Sequence, residues 1–306
     1  MDRRGKISKL PSGWRRFGAH MSIAGGLHHA FERAVDVGCD CMQIFVKNQR
    51  QWRAPPLADE QVARWQAARQ WAGVSPVVAH ATYLINLASP DRSLWKRSIE
   101  AYADELLRCE RLGVIGLVFH PGSHMGRGES WGIERIAAAL DVIHERTGGL
   151  AARTILETTA GQGSCLGHRF EHLADIIGKV REPERLAVCV DTCHIFSAGY
   201  EITTDEGYAA TMAALDRTVG LNRVIVFHMN DSLRPLGSHR DRHGAIGQHE
   251  IGRSAFRRVV TDPRFLGIPM ILETPKGTDA RGRDLDRVNL AVLRRLVRQA
   301  ISRAEP

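Results

Sequence analysis

The chain lacks the features that mark secreted and membrane proteins. Its six cysteines form no C-x-x-C pair, and its charged N-terminus has no apolar stretch typical of a secretory signal. No apolar run reaches the roughly 18 residues that a membrane-spanning helix needs. We therefore expect a cytoplasmic protein with free thiols and no membrane partner.

Domain linkers and repeats are also missing. No stretch rich in Pro, Gly and Ser divides the 306 residues, and no short-period repeat or low-complexity tract occurs. The composition is 43% hydrophobic, which is enough to bury one large core. We predict a basic N-terminal extension over residues 1–15 and a single domain over residues 16–306.

Acidic residues are outnumbered by basic ones. The chain has 42 Lys and Arg against 34 Asp and Glu, a formal net charge of +8 and a pI near 9.5. This balance favours a polyanionic partner such as nucleic acid. A generally basic protein without such a partner is the alternative, and charge alone does not exclude it.

Eight short apolar runs alternate with helical patterns along the chain. Strands that alternate with helices predict a parallel sheet with right-handed crossovers. Eight such units, in a chain longer than the roughly 250 residues of a typical example, predict an α/β fold closed into a (β/α)₈ TIM barrel. The predicted strands are residues 17–20, 41–46, 76–80, 114–120, 154–157, 186–191, 224–230 and 270–273.

Potential metal ligands recur at the carboxyl ends of these strands, which converge on one face of a barrel. The strand-end residues are His80, His120, Glu157, Asp191, His228 and Glu273. His194 follows one strand closely, and Asp241 and His243 lie on the loop after another. A single strand-end histidine is more often structural, and an Asp there often caps a helix. Nine such residues on one rim favour a shared site.

These nine residues comprise five imidazoles and four carboxylates. Nitrogen and oxygen donors suit Zn²⁺, and also Mn²⁺ or iron. Nine ligands exceed the needs of one ion and fit two or three. Metal clusters of this kind polarise phosphate oxygens and generate hydroxide at neutral pH. Together with the positive charge, the set favours cleavage of a phosphodiester.

Short motifs in a fixed order give a specific resemblance. They include G-A-H-M-S-I-A-G-G, K-N-Q-R-Q-W-R, H-A-T-Y-L-I-N-L, F-H-P-G-S-H, E-T-T-A-G-Q-G-S, V-D-T-C-H-I-F-S-A-G-Y, H-M-N-D-S, D-R-H and I-L-E-T. From Phe17 to Glu273 the chain resembles the endonuclease IV family of apurinic/apyrimidinic-site endonucleases. The resemblance implies a TIM barrel with three zinc ions that cleaves double-stranded DNA on the 5′ side of abasic sites. The expected products are a 3′-hydroxyl and a 5′-deoxyribose phosphate, with trimming of blocked 3′ ends, and we expect a monomer.

The resemblance also implies roles for individual residues. The first zinc would be held by His80, His120 and Glu157. Glu157 would bridge to a second zinc, which is completed by Asp191, His228 and Glu273. The third would be held by His194, Asp241 and His243. Glu157 and Glu273 are the expected catalytic residues, and the expected DNA-binding residues are Arg50, Gln51, Tyr83 and Leu84.

Two other classes of protein remain open. A sugar isomerase or epimerase on a related barrel would use one or two metals and would need no DNA-binding loops. A non-catalytic DNA-damage-binding protein would be expected to have lost ligands. Two departures from the family pattern, Thr158 in place of Asn and His249 in place of Gly, put the local hydrogen bonding and the loop conformation in question.

Overall fold

The computed structural model describes residues 15–304, which form a closed barrel of eight parallel strands. The predicted barrel is therefore confirmed. Residues 1–14 of the predicted basic extension lie outside the described residues. Arg15, the last residue of that extension, is buried and donates a hydrogen bond of 2.6 Å to the carbonyl oxygen of Asp262. The division between extension and domain stays a prediction.

The barrel strands follow the chain order. They are β1 (Arg16–His20), β2 (Cys41–Phe45), β3 (Val77–His80), β4 (Gly116–Phe119), β5 (Arg153–Glu157), β6 (Leu186–Asp191), β7 (Val224–His228) and β8 (Pro269–Leu272). Between residues 15 and 304 the helices are α1 (His29–Val37), α2 (Asp59–Ala72), α3 (Arg92–Leu112), α4 (Glu129–Arg146), α5 (Phe170–Lys179), α6 (Thr192–Ala198), α7 (Asp205–Thr218), α8 (Gly252–Thr261) and α9 (Leu285–Ala304). Two short antiparallel ladders join Gly122–Ser123 to Cys165–Leu166 and Asp231–Ser232 to His243–Gly244.

The first and last strands close the barrel. β1 pairs in parallel with β8, from Arg16 opposite Pro269 to Ala19 opposite Leu272, and with β2 on its other side. Every other strand pairs with its neighbours in sequence. Because all eight strands run in parallel, their carboxyl ends form a single rim.

Two apolar layers support this rim. Alternate strand residues point into the barrel, because successive side chains of a strand face opposite sides. These inward residues form a cluster of buried side chains: Cys41, Val78, Val118, Ile155, Ala187, Cys189, Val226 and Ile271. A larger cluster packs the strands against the surrounding helices, with Trp65 and Phe31 among its fully buried side chains. The polar strand ends therefore rest on a filled barrel.

Two helices differ from the sequence patterns. The pattern predicts a helix over residues 26–37, but α1 begins at His29 because Gly25 and Gly26 form a turn with φ values of 84° and 139°. The short helix α6 was not predicted, since only seven residues separate Asp191 from Gly199. The Asp191 carboxylate accepts a hydrogen bond of 3.0 Å from the His194 backbone N–H and so caps α6.

The part of the chain that the structure describes contains no helix that is long and apolar enough to cross a membrane. All six cysteines are free, and five of them are buried.

Gly18 supplies a test of the barrel closure. A Cβ at this position would overlap the carbonyl group of Cys41 on β2, with 2.6 Å to the carbonyl carbon. We expect Gly18→Ala to lower the free energy of unfolding by about 1–3 kcal/mol, the usual cost of overpacking. Gly178→Ala is the matched control, because a Cβ there meets no atom within 4 Å. Urea denaturation of both variants measures the difference, and equal stability would contradict this account of the closure.

Candidate metal centre

All nine predicted ligands meet at the carboxyl end of the barrel. His80, Glu157, Asp191 and His228 are the last residues of their strands. His120 and Glu273 come one residue after β4 and β8, because these strands end one residue earlier than the sequence predicts. His194 lies in α6, and Asp241 and His243 lie on the loop after β7. The structure thus brings these side chains together, and their role as ligands remains a prediction.

Glu157 lies at the centre of the group and is fully buried. Its Oε1 is 2.8 Å from His228 Nδ1 and 3.4 Å from His194 Nδ1. Its Oε2 is 3.1 Å from His80 Nε2 and 3.3 Å from His120 Nε2. Burial opposes ionisation of this carboxyl, but the imidazoles, His228 and His120 above all, hold its pKa well below the ordinary value. One ionised carboxylate therefore faces four rings, as a bridging ligand would.

A second group lies beside the first. Asp241 places Oδ2 3.2 Å from His194 Nε2 and Oδ1 3.1 Å from His243 Nε2. The two imidazole nitrogens are 3.5 Å apart. Burial lowers the pKa of His243, but Asp191 and Asp241 outweigh it and raise this pKa to about 9. These rings lie in a field of carboxylates that attracts positive charge, from protons or from a cation.

Backbone carbonyls fix the orientation of three histidines. His80 Nδ1 lies 2.7 Å from the carbonyl oxygen of the next residue. His194 Nδ1 lies 2.8 Å from the Thr158 carbonyl, and His243 Nδ1 lies 3.2 Å from the Glu273 carbonyl. A carbonyl can only accept, so each Nδ1 is an N–H, and in the neutral ring each Nε2 has its lone pair directed at the centre. This is the usual arrangement around histidines that bind metal.

The donors fit divalent cations. The donor atoms of His80, His120 and Glu157 lie within 4.8 Å of one another, and so do those of the group formed by His194, Asp241 and His243. Nitrogen and carboxylate donors suit zinc and related metals. Cys193 lies nearby, but burial raises the pKa of its thiol to about 11 and keeps it protonated. The cluster is therefore one of imidazoles and carboxylates.

The predicted DNA-binding residues lie on two loops at the same rim. Arg50 and Gln51 are exposed on the loop after β2. Tyr83 and Leu84 follow β3, and 69% of the Tyr83 surface is exposed. The Tyr83 ring packs edge-on against Phe45, with 5.6 Å between the ring centroids. A cavity of about 690 Å³ opens beside these loops, and its lining includes His20, Phe45, Tyr83, His243, Glu273 and Lys276.

A buried ion pair connects the two loops, and the sequence patterns did not reveal it. Lys47 Nζ lies 3.2 Å from Glu105 Oε1 and donates a 2.8 Å hydrogen bond to the carbonyl oxygen of Trp52. The other oxygen of Glu105 accepts from the Thr82 backbone N–H at 3.1 Å. Glu105 lies on α3, so this helix holds both loops through one carboxylate. A Lys directly after the apolar run of β2 was the available signal.

Two amides near the ligands were also missed. Asn230 Nδ2 donates to Asp191 Oδ2 at 2.6 Å, and its Oδ1 accepts from the Glu273 backbone N–H at 2.9 Å. Gln43 is buried on β2 and contacts two of the predicted ligands. A single amide within the apolar run C-M-Q-I-F was the signal for Gln43. At Thr158, where the family pattern has Asn, the side-chain hydroxyl accepts a hydrogen bond of 3.0 Å from the Asp191 backbone N–H.

The buried ion pair that connects the two loops predicts a larger loss of stability on mutation than an exposed ion pair does. Removal of Lys47 leaves the buried Glu105 charge uncompensated, so we expect Lys47→Met to cost about 3–5 kcal/mol of stability. Glu105→Gln should cost less, because Lys47 Nζ also lies 3.5 Å from Asp104 Oδ2. The double variant should cost much less than the sum. The exposed pair Arg53–Glu100 is the control, and Glu100→Gln should cost less than about 1 kcal/mol. Denaturant unfolding measures all four variants, and additive losses in the double variant would contradict the ion pair.

Comparisons with known proteins agree with this geometry. A family model described as a xylose isomerase-like TIM barrel matches residues 31–296. The probable endonuclease 4 of Chloroflexus aggregans is 55% identical over 284 residues, which is 92% of this chain and 98% of that protein. The probable endonuclease 4 of Geobacter sulfurreducens is 46% identical over 291 residues, 94% of this chain and 97% of that protein.

Solved structures give the same result. Endonuclease IV from Thermus thermophilus matches with a TM-score of 0.81 and 38% identity, covering 93% of this chain and 99% of that one. A D-tagatose 3-epimerase-like protein matches with a TM-score of 0.72 and 18% identity over 94% and 99% of the two chains, which shows a shared fold alone. The chain therefore belongs to the endonuclease IV family and is a DNA-cleaving hydrolase built on the xylose isomerase-like barrel.

Proposed function

We propose that the protein is a DNA repair endonuclease that hydrolyses the phosphodiester on the 5′ side of abasic sites in double-stranded DNA. The products would be a 3′-hydroxyl and a 5′-deoxyribose phosphate, and blocked 3′ ends would be trimmed by the same centre. We further propose that it acts as a monomer. One observation carries the proposal: nine imidazole and carboxylate side chains, the candidate ligands, converge beside two exposed loops that bear Arg50 and Tyr83.

The family is metal-dependent, and we propose that this chain holds three zinc ions. The first would be held by His80, His120 and Glu157, the second by Glu157, Asp191, His228 and Glu273, and the third by His194, Asp241 and His243. Zinc bound there would supply Lewis acidity toward phosphate oxygens and offset the charge on the leaving oxygen.

Glu157 and Glu273 are the proposed catalytic residues. Both carboxyls are ionised in spite of their burial, because neighbouring imidazoles, His228 first in each case, lower their pKa values. They face the same His228 nitrogen, at 2.8 Å and 3.3 Å. These two ionised groups would hold positive charge at the point where the scissile phosphate is placed.

Arg50, Gln51, Tyr83 and Leu84 are the proposed DNA contacts. Their two loops flank the cavity, so an abasic nucleotide displaced from the helix would reach the centre between them. Flipping costs least where base pairing is already lost, which contributes to selectivity for damage. The net charge of +8 would add phosphate contacts along the duplex.

A sugar isomerase or epimerase on the same barrel is the alternative. Such an enzyme would use one or two metals and would have no use for the group of His194, Asp241 and His243. The identities to endonuclease relatives, 55% and 38%, far exceed the 18% to the epimerase-like protein. The hydrolysis of DNA therefore has the stronger support.

The decisive experiment combines metal analysis with a nicking assay. We expect about three zinc ions per purified chain and cleavage of abasic duplex without added Mg²⁺, because nine ligands should retain the ions. Prolonged chelation should abolish cleavage, and zinc should restore it. An intact duplex of the same sequence is the control substrate. Activity that appears only with millimolar Mg²⁺ would contradict the zinc centre.

His194→Ala tests the third ion. We expect the loss of about one zinc per chain and a fall in single-turnover cleavage of about 10²–10³-fold, the usual cost of one missing electrostatic stabiliser. His144→Ala is the matched control, since His144 is equally buried but its ring, among the described residues, hydrogen-bonds to Thr154 Oγ1 alone, at 3.1 Å and outside the centre. Elemental analysis and cleavage rates are measured on both. Full zinc content with near-normal cleavage in His194→Ala would remove this residue from the ligands.

A further inference from the structure

Gln43 is a buried amide that contacts two of the candidate metal ligands without being one itself. Its side chain is fully buried on β2 and reaches three partners. The amide Nε2 donates to Glu273 Oε1 at 2.6 Å and lies 3.0 Å from His20 Nδ1. The amide Oε1 lies 2.8 Å from His228 Nε2. Every polar atom of the amide is therefore engaged.

These contacts determine the orientation of the amide. The Glu273 carboxylate, as the acceptor of this bond, can only accept hydrogen bonds. A flipped amide would place two oxygens against each other at 2.6 Å. The Nε2 group of Gln43 therefore faces Glu273, and its Oε1 faces His228. An amide oxygen can only accept, so Nε2 of His228 is the N–H.

The other nitrogen of His228 is consequently directed at carboxylates. His228 Nδ1 lies 2.8 Å from Glu157 Oε1, 3.3 Å from Glu273 Oε2 and 3.9 Å from Asp191 Oδ2. In the neutral ring this nitrogen carries a lone pair, which carboxylate oxygens would repel unless a cation lies between them. The same three carboxylates are the predicted partners of His228 in the second zinc site.

His228 differs from the other histidines in what holds it. His80, His194 and His243 each donate Nδ1–H to a backbone carbonyl and present Nε2. His228 presents Nδ1 instead, and its outer nitrogen bonds to a side chain. Substitution cannot remove the carbonyls, but it can remove Gln43.

We propose that Gln43 is a positioning residue that fixes His228 in the tautomer whose Nδ1 binds metal and holds Glu273 against the same ion. The inference rests on the proposed metal centre and adds a residue outside its ligands. Partners that hydrogen-bond a metal-binding histidine typically contribute 10–100-fold to metal affinity, about as much as we expect from Gln43.

The test uses Gln43→Met, which keeps a similar volume but removes both hydrogen-bonding groups. Metal-free protein is titrated with zinc against a chromophoric chelator. We expect zinc to bind about 10–100-fold more weakly at one site, with the site of His194, Asp241 and His243 unchanged. In ¹H–¹⁵N spectra of zinc-loaded protein, the hydrogen-bonded Nε2–H signal of His228 should be present in the wild type and lost in the variant.

Two further variants control the result. Asn289→Leu removes an equally buried amide that bonds to the Ile246 backbone N–H and to Thr274 and touches no candidate ligand. It should leave zinc affinity and the His228 signal intact. Gln43→Glu keeps an acceptor for His228, so the Nε2–H signal should persist, although its second oxygen replaces the group that donates to Glu273. This variant serves if the Met variant does not fold.

The possible failures are distinguishable. Wild-type zinc affinity and an unchanged His228 signal in Gln43→Met would overturn the role of Gln43 and leave the metal centre standing. Loss of the His228 signal in Gln43→Glu would equally overturn it, since the acceptor is still present. Wild-type protein that binds no zinc would overturn the metal centre and the role of Gln43 with it.

Discussion

Four carboxylates share the mouth of the barrel, and their negative charge must be balanced. Glu157 and Asp191 are fully buried, and each ion taken out of water costs several kcal/mol unless it is paired. The imidazoles around them supply this pairing. Asp191, Asp241 and Glu157 raise the pKa of His194 well above the ordinary value against the effect of burial. Protons on the imidazoles balance only part of the negative charge of the carboxylates. Divalent cations would balance more of it, because each brings two charges to the same space.

The filled barrel beneath the site holds the candidate ligands in fixed positions. Strand ends are rigid positions, because each strand is paired on both sides and packed on both faces. Six of the nine candidate ligands lie at or directly after such ends. The other three are held by secondary contacts: α6 is capped by Asp191, and His243 is paired with Ser232 in a short ladder. Hydrogen bonds therefore fix the positions of these loop and helix residues, as strand pairing fixes the positions of the residues at the strand ends.

Much of this arrangement could be predicted from the sequence, because buried parallel strands appear as apolar runs. The run that ends at Asp191 predicts both a strand and a candidate ligand at its end, and the same reasoning applies at His80 and Glu157. The helix α6 was not predicted because its seven residues are too few to show a helical pattern. The ion pair of Lys47 and Glu105 was not predicted for another reason. Its partners are far apart in the chain, and only the closed barrel brings them together.

Polar contacts across the junction of β1 and β8 make the candidate metal centre depend on closure of the barrel. Gln43 on β2 reaches across β1 to Glu273, which directly follows β8, and to His228 at the end of β7. These contacts join an early part of the chain to a late part and cannot form before β1 meets β8. Metal bound by such ligands stabilises the closed chain over any open one, since its binding free energy becomes free energy of folding. A nascent chain that stops before β7 would hold five of the nine candidate ligands but lack His228, Asp241, His243 and Glu273. The enzyme would thus become able to cut DNA only once its barrel is complete.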